Sequence, residues 1–228
     1  MRKSVINVIK GGLVVSCQAL EEEPLHGSSH MKAMARAAVM GGAAGIRANG
    51  PKDIRAIRKE VKVPIIGIYK IFTPGYEVFI TPTLKEAREI VRAGADIVAL
   101  DATPRSRRGH LSIGELIAAI KRELKVPVMA DISNFDEAME AGAFGADLIA
   151  TTLSGYTAGT RSRKIPDFDL LRRMVRKLKT PVIMEGGIRI PEQARRAIRL
   201  GAHAVVVGAA ITRPQVITKY FVSALKKG

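Results

Sequence analysis

The chain has 228 residues, 47% of them hydrophobic, and a formal net charge of +16 at pH 7. A chain of this length can bury one large core, so we expect a single domain over residues 1–228. No apolar run approaches the roughly 20 residues of a membrane span, and the start lacks a signal peptide, so we expect a cytoplasmic protein without a membrane partner. The single cysteine excludes an intramolecular disulfide bond and a multi-cysteine zinc site.

The positive charge raises the question of nucleic-acid binding, because clustered Lys and Arg bind phosphate backbones. The basic residues instead alternate with apolar ones at helical spacing, as in residues 170–179 (LLRRMVRKLK), which is typical of solvated helix faces. Aromatic residues are only 4% of the chain, so the stacking surfaces of single-strand binders are missing. We expect no dedicated nucleic-acid partner, and a basic RNA-binding barrel is the non-enzyme alternative.

Two phrases alternate along the chain and predict its strands. The predicted strands are an early one over 13–18, four that open with Gly-Ala (42–49, 94–101, 145–152 and 201–208) and three that open with Lys-x-Pro (62–70, 125–133 and 179–187). Between them lie amphipathic segments of helical length: 29–40, 51–60, 83–93, 112–124, 134–141, 167–178, 191–200 and 214–226. Eight strands alternating with eight helices predict an α/β fold, a (β/α)8 TIM barrel of the phosphate-binding type. An open doubly wound sheet is the alternative, but its G-x-G-x-x-G motif is missing.

In such a barrel the active site forms at the C-terminal ends of the strands, where we expect Thr152 to contact a substrate. Lys70, Asp131 and Glu185 lie an even number of residues after the prolines of their strands, so they should project from one face. The third and seventh strands are opposed, which places Lys70 and Glu185 across the mouth from each other. An amine facing a carboxylate suits removal of a proton from one face of a substrate and its return to the other. An ion pair that only stabilises the barrel is the alternative.

Lys70 can act as a base only if part of it is neutral. An ordinary lysine has a pKa near ~10.4, so burial or the nearby cation Arg47 must lower the pKa of Lys70. Schiff-base formation in a phosphosugar aldolase or isomerase would need the same neutral amine. The sequence leaves both roles open.

Glycine-rich turns follow the seventh and eighth predicted strands. Gly186 and Gly187 follow one, and Gly208 and Ala209 follow the other, where many TIM barrels bind phosphate through backbone N–H groups. Arg213, just beyond, can add a charge-assisted contact. Plain turn glycines are the alternative, but the paired occurrence favours a phosphate site.

The chain's histidines and cysteine do not predict a metal site. His26 and His30 are spaced like helix-borne ligands, but the loop-like Gly-Ser-Ser between them favours solvent-facing side chains. Cys17 is expected to pack as a small apolar residue. A metal-dependent ribulose-phosphate-type epimerase is disfavoured because the strand ends offer no histidine set.

The fourth predicted strand ends at Asp101, for which three roles are open: orienting Lys70, binding a sugar hydroxyl, or capping the next turn. Three arginines follow it, Arg105, Arg107 and Arg108, and we expect them to form a solvated loop.

Ten stretches over nearly the whole chain carry a family likeness. They are VSCQAL (15–20), IRANG (46–50), GIYK (67–70), ITPTLKEA (80–87), ALDAT (99–103), MADIS (129–133), TLSGYT (152–157), PDFDLL (166–171), EGGI (185–188) and VGAAITRP (207–214). Together they resemble the N-acetylmannosamine-6-phosphate 2-epimerases of sialic-acid and amino-sugar catabolism. The mouth loops at 71–74 and 105–110 depart from the family pattern.

The resemblance implies interconversion of N-acetylmannosamine 6-phosphate and N-acetylglucosamine 6-phosphate by proton exchange at C2. It implies that Lys70 is the catalytic lysine and Glu185 its acid/base counterpart, and that Gln18, Arg47 and Asp131 contact the sugar. Whether Glu185 delivers the proton, assists ring opening or tunes Lys70 is left open. No metal, nucleotide or redox cofactor is implied. The partner is a small phosphosugar, and the helical exterior of such barrels leads us to expect a homodimer.

Overall fold

The computed structural model describes residues 4–226, and its eight parallel strands close into a barrel in chain order. The strands are β1 (Leu13–Cys17), β2 (Gly45–Asn49), β3 (Ile65–Ile68), β4 (Ile97–Asp101), β5 (Val128–Asp131), β6 (Leu148–Ala150), β7 (Val182–Glu185) and β8 (Ala204–Val207). The circle closes where β1 pairs with β8. The predicted TIM barrel is confirmed, and the open sheet is excluded.

Ten α-helices are assigned among the described residues. They are α1 (Val5–Val8), α2 (Ser28–Met40), α3 (Gly50–Glu60), α4 (Leu84–Ala93), α5 (Ile113–Leu124), α6 (Phe135–Ala143), α7 (Phe168–Lys177), α8 (Pro191–Arg199), α9 (Ala209–Thr212) and α10 (Pro214–Leu225). The predicted helices match α2 to α8 and α10 within about two residues. Sequence reasoning missed α1, α9 and a 3₁₀ turn at Ala158–Thr160, because elements this short show no periodicity. Over the described part of the chain, no helix has the length and apolar character needed to cross a membrane.

The predicted strands were too long, because the Lys-x-Pro phrases include the loops at both ends of each strand. The third strand, predicted over 62–70, spans only Ile65–Ile68, so Lys70 lies two residues beyond it. Its position in the barrel mouth therefore depends on a loop and not on the sheet alone.

The glycine of each Gly-Ala phrase marks the turn from a helix into the next strand. Gly42, Gly94, Gly145 and Gly201 have φ angles of +91°, +113°, +82° and +98°. Side chains with a Cβ rarely adopt this region, so glycine lets the chain leave the helix at these four points. The repeat read from the sequence is thus a repeated backbone conformation.

Alternate residues along the strands form two separate cores. One set fills the inside of the barrel: Val14, Ile66, Ile97, Met129, Leu148, Ile183 and Val206. The other set, which includes Ile65, Val128 and Val182, packs between the strands and the helices. Lys70, Asp131 and Glu185 share the inward parity of Ile66, Met129 and Ile183, as the count from the prolines predicted.

The short helix α1 closes the N-terminal end of the barrel. Ile9, which follows it, is fully buried in the interior cluster, with Val5 and Ile6 packed against that cluster. The backbone N–H of Gly11 donates to the carbonyl of His203 at 2.7 Å, which ties this segment to the start of β8. The segment therefore seals the core at the end remote from the strand tips.

We predict that Ile9→Ala lowers the free energy of unfolding by about 2–5 kcal/mol, because it opens a cavity in a packed core. The neighbouring Val8→Ala removes a side chain that is 42% exposed, and should change the free energy by less than about 0.5 kcal/mol. Urea denaturation of both variants measures the difference. Equal losses would contradict the sealing role of Ile9.

Candidate active site

A pocket of about 350 Å³ opens at the C-terminal ends of the strands. Nine of the eleven predicted site residues line it: Gln18, Lys70, Thr152, Glu185, Gly186, Gly187, Gly208, Ala209 and Arg213. β3 and β7 are four strands apart in a circle of eight, so Lys70 and Glu185 enter the pocket from opposite sides. The opposition inferred from the strand count is therefore present.

The backbone around Lys70 is held by its neighbours on both sides. Its N–H donates to the side-chain oxygen of Asn49, at the end of β2, over 2.9 Å. On the other side Lys70 forms an isolated antiparallel bridge with Ile80. These contacts fix Lys70 although the strand has ended.

The Lys70 ammonium lies half-buried among cations. Burial lowers its pKa, and the positive charges of Arg47 and Arg213 lower it further, against the opposing effect of Glu185 and Glu23. The resulting pKa is about 8. With this pKa about a tenth of Lys70 is neutral at pH 7, far more than of an ordinary lysine, and the proposed base needs this neutral form.

Arg47 lies beneath the pocket and not in its wall. Its guanidinium donates to both carboxylate oxygens of Asp131, at 3.1 and 2.5 Å, and to Glu185 at 2.6 Å. The side chains of Arg47 and Asp131 are 1% and 0% exposed. Burial acts to lower the pKa of Arg47, but the two carboxylates raise it above its ordinary value. In this arrangement Arg47 and Asp131 support Glu185 from below, and sugar contact by either one stays a prediction.

Glu185 ends β7 with its side chain 13% exposed. Burial raises its pKa to about 7, even though Arg47 lowers it, and the nearby Asp131 adds to the increase. The hydroxyl of Thr151 donates to the carbonyl of Glu185 at 2.8 Å and accepts from its N–H at 3.1 Å, which fixes the backbone. Glu185 can thus hold or release a proton near neutral pH.

The glycine-rich corner forms one end of the pocket. Gly186 and Gly187 have φ angles of +105° and +74°, and a Cβ on Gly187 would lie 2.8 Å from the side chain of Ile165. The turn therefore requires glycine at this position. Next to it α9 begins at Ala209, so the first N–H groups of that helix lack partners within the helix.

Sequence reasoning missed several residues that line the pocket. Tyr156 and Ile165 come from the long β6–α7 loop, and Arg189 and Tyr220 from the segments after β7 and α9. The guanidinium of Arg189 lies over the ring of Tyr220 at 4.9 Å. Tyr156 belongs to the TLSGYT stretch that carries the family likeness, but its spacing in the sequence does not indicate that its side chain points into the pocket.

The prediction of a solvated arginine loop after β4 was wrong. Arg105 donates to the carboxylate of Asp101 at 2.5 Å, Arg107 to its carbonyl at 2.5 Å, and Arg108 pairs with Glu86. Asp101 is fully buried and also accepts from the N–H of Thr103 at 2.9 Å. Of its three open roles, the structure shows the cap of the following turn.

The histidines and the cysteine lie as expected. His26 and His30 are exposed, and their ring nitrogens lie near backbone carbonyls. Cys17 is fully buried, which raises the pKa of its thiol to about 12. Within residues 4–226, no cluster of three or more His, Cys, Asp or Glu side chains is arranged to hold a metal ion.

A model of one protein family matches residues 31–227, and that family is described as "Putative N-acetylmannosamine-6-phosphate epimerase". The chain belongs to this family. Two similar relatives carry the name "Putative N-acetylmannosamine-6-phosphate 2-epimerase". The one from Caldanaerobacter subterraneus is 50% identical over 228 residues, covering 100% of this chain and 96% of the relative. The one from Listeria innocua is 52% identical over 230 residues, covering 100% of both chains.

Solved structures agree with this membership of the epimerase family. The N-acetylmannosamine-6-phosphate 2-epimerase from Clostridium perfringens superposes with a TM-score of 0.95 at 46% identity, covering 98% of this chain and 97% of that chain. Thiamine phosphate pyrophosphorylase from Pyrococcus furiosus superposes with a TM-score of 0.62 at 19% identity, covering 94% and 93%. The second likeness shows a common barrel fold only.

We predict that Arg47→Met in this epimerase-family protein lowers the free energy of unfolding by about 3–5 kcal/mol, because it leaves buried carboxylates without a cation. Arg47 lowers the pKa of Glu185, so that pKa rises further above its unfolded value in the variant. An acid whose folded pKa is raised loses stability as pH increases, so the deficit should grow between about pH 5 and pH 8.

The control is Arg88→Met, which breaks a pair with Glu123 whose side chains are 39% and 37% exposed. An exposed pair contributes about 0–1 kcal/mol, so its loss should be small. Urea denaturation at both pH values measures each variant. A deficit for Arg47→Met that does not change with pH would contradict the link to Glu185.

Proposed function

We propose that this protein interconverts N-acetylmannosamine 6-phosphate and N-acetylglucosamine 6-phosphate by moving a proton at C2. The observation that carries the proposal is the pairing of Lys70 and Glu185 across one pocket, with pKa values of about 8 and about 7. An amine shifted down and a carboxyl shifted up are suited to base and acid roles at the same pH. Family membership supplies the substrate.

The chemistry is a proton removal and return. In the ring-opened sugar the C1 aldehyde acidifies the proton on C2. The neutral amine of Lys70 takes that proton, and the electrons of the C–H bond form an enolate. Protonated Glu185 gives a proton to the opposite face of C2, which restores the aldehyde with inverted configuration. Lys70 then releases its proton to solvent and the Glu185 carboxylate takes one up from solvent, which restores both starting states.

Arg47 and Asp131 set the state of Glu185 during this cycle. The Arg47 guanidinium lies 2.6 Å from Glu185, so it stabilises the carboxylate that forms when the proton leaves. Asp131 accepts from both terminal nitrogens of the guanidinium, one of which it shares with Glu185, and its negative charge limits that stabilisation, so Glu185 can be reprotonated. Gln18 and Thr152, which line the pocket, are proposed to bind the sugar.

The phosphate is proposed to bind at the other end of the pocket. The turn at Gly186 and Gly187 and the start of α9 at Gly208 and Ala209 bring backbone N–H groups to one corner. Arg213 adds a cation there. A phosphate held in this corner leaves the sugar carbons to extend toward Lys70 and Glu185.

We also infer a homodimer and retain the expectation of a cytoplasmic location. The dimer is supported by the described part of α10, where Phe221 and Leu225 are 71% and 84% exposed. Large apolar side chains grouped on one helix commonly mark an interface. Light scattering should give twice the chain mass of 24.6 kDa, and a single-chain mass would contradict the inference.

For catalysis, we predict that wild-type protein in D₂O converts N-acetylmannosamine 6-phosphate into its epimer with deuterium at C2, as followed by NMR. Lys70→Ala should abolish conversion, and Lys70→Arg should too, because an arginine stays charged. Glu185→Gln should lower kcat by about 100-fold or more. Activity should follow a bell-shaped pH profile with its maximum between about 7 and 8, because Lys70 must be neutral and Glu185 protonated at the same time.

The matched control is Lys62→Ala, an exposed lysine at the other end of the same strand segment, which should keep full activity. Epimer without deuterium would contradict proton exchange with solvent, and absence of epimer would remove the proposed function. Borohydride in the presence of substrate tests the alternative: covalent trapping on Lys70 would identify a Schiff base in place of a general base.

A further inference from the structure

Glu23, in the loop between β1 and α2, accepts hydrogen bonds from three other residues. Its two carboxylate oxygens each lie 3.0 Å from Arg213, one from Nε and the other from the Nη2 group that donates to it. The same oxygens accept from the side chain of Gln215 at 3.0 Å and from the N–H of Leu20 at 2.8 Å. Glu23 thus joins the β1–α2 loop to the segment that follows α9.

The contacts with Glu23 occupy the Nε and Nη2 edge of the Arg213 guanidinium. Arg213 also lines the pocket, next to the corner formed by Gly187 and Gly208. A long, partly exposed arginine has many rotamers, and ordering it on ligand binding costs entropy. A carboxylate that already fixes one edge removes that cost and leaves the rest of the guanidinium toward the pocket.

We propose that Glu23 is a positioning residue, which holds Arg213 in the orientation that binds the phosphate of the substrate. The inference rests on the proposed function, because it assigns the phosphate to the Arg213 corner. Glu23 does not contact the reacting carbons, and its charge is the smallest of the named effects on the pKa of Lys70, so its removal acts mainly on phosphate binding.

A competing effect acts in the opposite direction. The negative charge of Glu23 partly neutralises Arg213 and repels a phosphate, so its loss would tighten binding if charge outweighed orientation. The two effects predict opposite signs for one measurement. The affinity for inorganic phosphate therefore separates them.

The test compares Glu23→Gln with Glu22→Gln. Glu22 is an exposed acid in the same loop, so its variant removes the same charge without touching Arg213. We expect Glu23→Gln to raise KM for N-acetylmannosamine 6-phosphate by about tenfold, the order typical when the residue that orients a ligand-binding group is lost. It should leave kcat within about twofold. The activity of Glu23→Gln on unphosphorylated N-acetylmannosamine should equal that of wild type. The KM and kcat of Glu22→Gln should also equal those of wild type.

A double-mutant cycle with Arg213→Ala shows whether Glu23 acts through the arginine. In the Arg213→Ala background, Glu23→Gln should raise KM no further. An equal effect in both backgrounds, an unchanged KM, or tighter phosphate binding would overturn the proposal. If Glu23→Gln folds poorly by circular dichroism, Glu23→Asp keeps the charge but shortens its reach, and should give a smaller increase in KM.

One further measurement separates this inference from the proposed function. Inorganic phosphate should raise the melting temperature of wild-type protein more than that of Glu23→Gln, and this needs no turnover. If wild type does not epimerise the sugar but the difference in melting temperature persists, the proposed function fails and the role of Glu23 stands. If wild type epimerises the sugar and the two proteins respond equally to phosphate, the role of Glu23 fails alone.

Discussion

The site depends on one buried cation, Arg47, held between two carboxylates inside the barrel. Taking three charges out of water is costly, and only close contacts in a low-dielectric interior offset the cost. Arg47 meets this condition with a two-pronged contact to Asp131 and a third contact to Glu185. Because the three side chains come from β2, β5 and β7, their contacts also fix the relative positions of strands on different sides of the barrel.

Burial displaces the pKa values of the two groups proposed for catalysis, and the same cation adjusts both. Burial lowers the pKa of Lys70, and the charge of Arg47 lowers it further, to about 8. It opposes the burial of Glu185 but does not cancel it, so the pKa of Glu185 remains near 7. An amine and a carboxyl in one cleft whose pKa values are shifted toward each other are typical of acid/base sites. A buried polar cluster that stabilises the barrel thus also tunes the pKa values of the site.

The sequence predicted those features that repeat, and it missed those that depend on the path of a single loop. Recurrent Gly-Ala and Lys-x-Pro phrases were sufficient for the barrel, and the parity of Lys70 and Glu185 on their strands was sufficient to bring them to one pocket. Parity gives the face of a strand but not the depth, so it could not show that Arg47 lies below the pocket. The arginines after Asp101 looked solvated because a run of charges does not reveal the buried carboxylate to which its loop folds back.

Pocket size and charge distribution both suit a small anionic substrate. A cavity of about 350 Å³ lies at the lower end of the range for small-molecule sites, which suits a ligand the size of a sugar phosphate. About half of the formal charge of +16 arises from the α-helices, where 19 basic residues outnumber 11 acidic ones, and this spread of charge gives a diffuse attraction for anions. At the pocket, by contrast, Glu185 is paired with Arg47 and Arg213 with Glu23. In the proposed mechanism, selectivity comes from the geometry of Lys70, Glu185 and the glycine-rich corner, and net charge contributes only to the approach of the substrate.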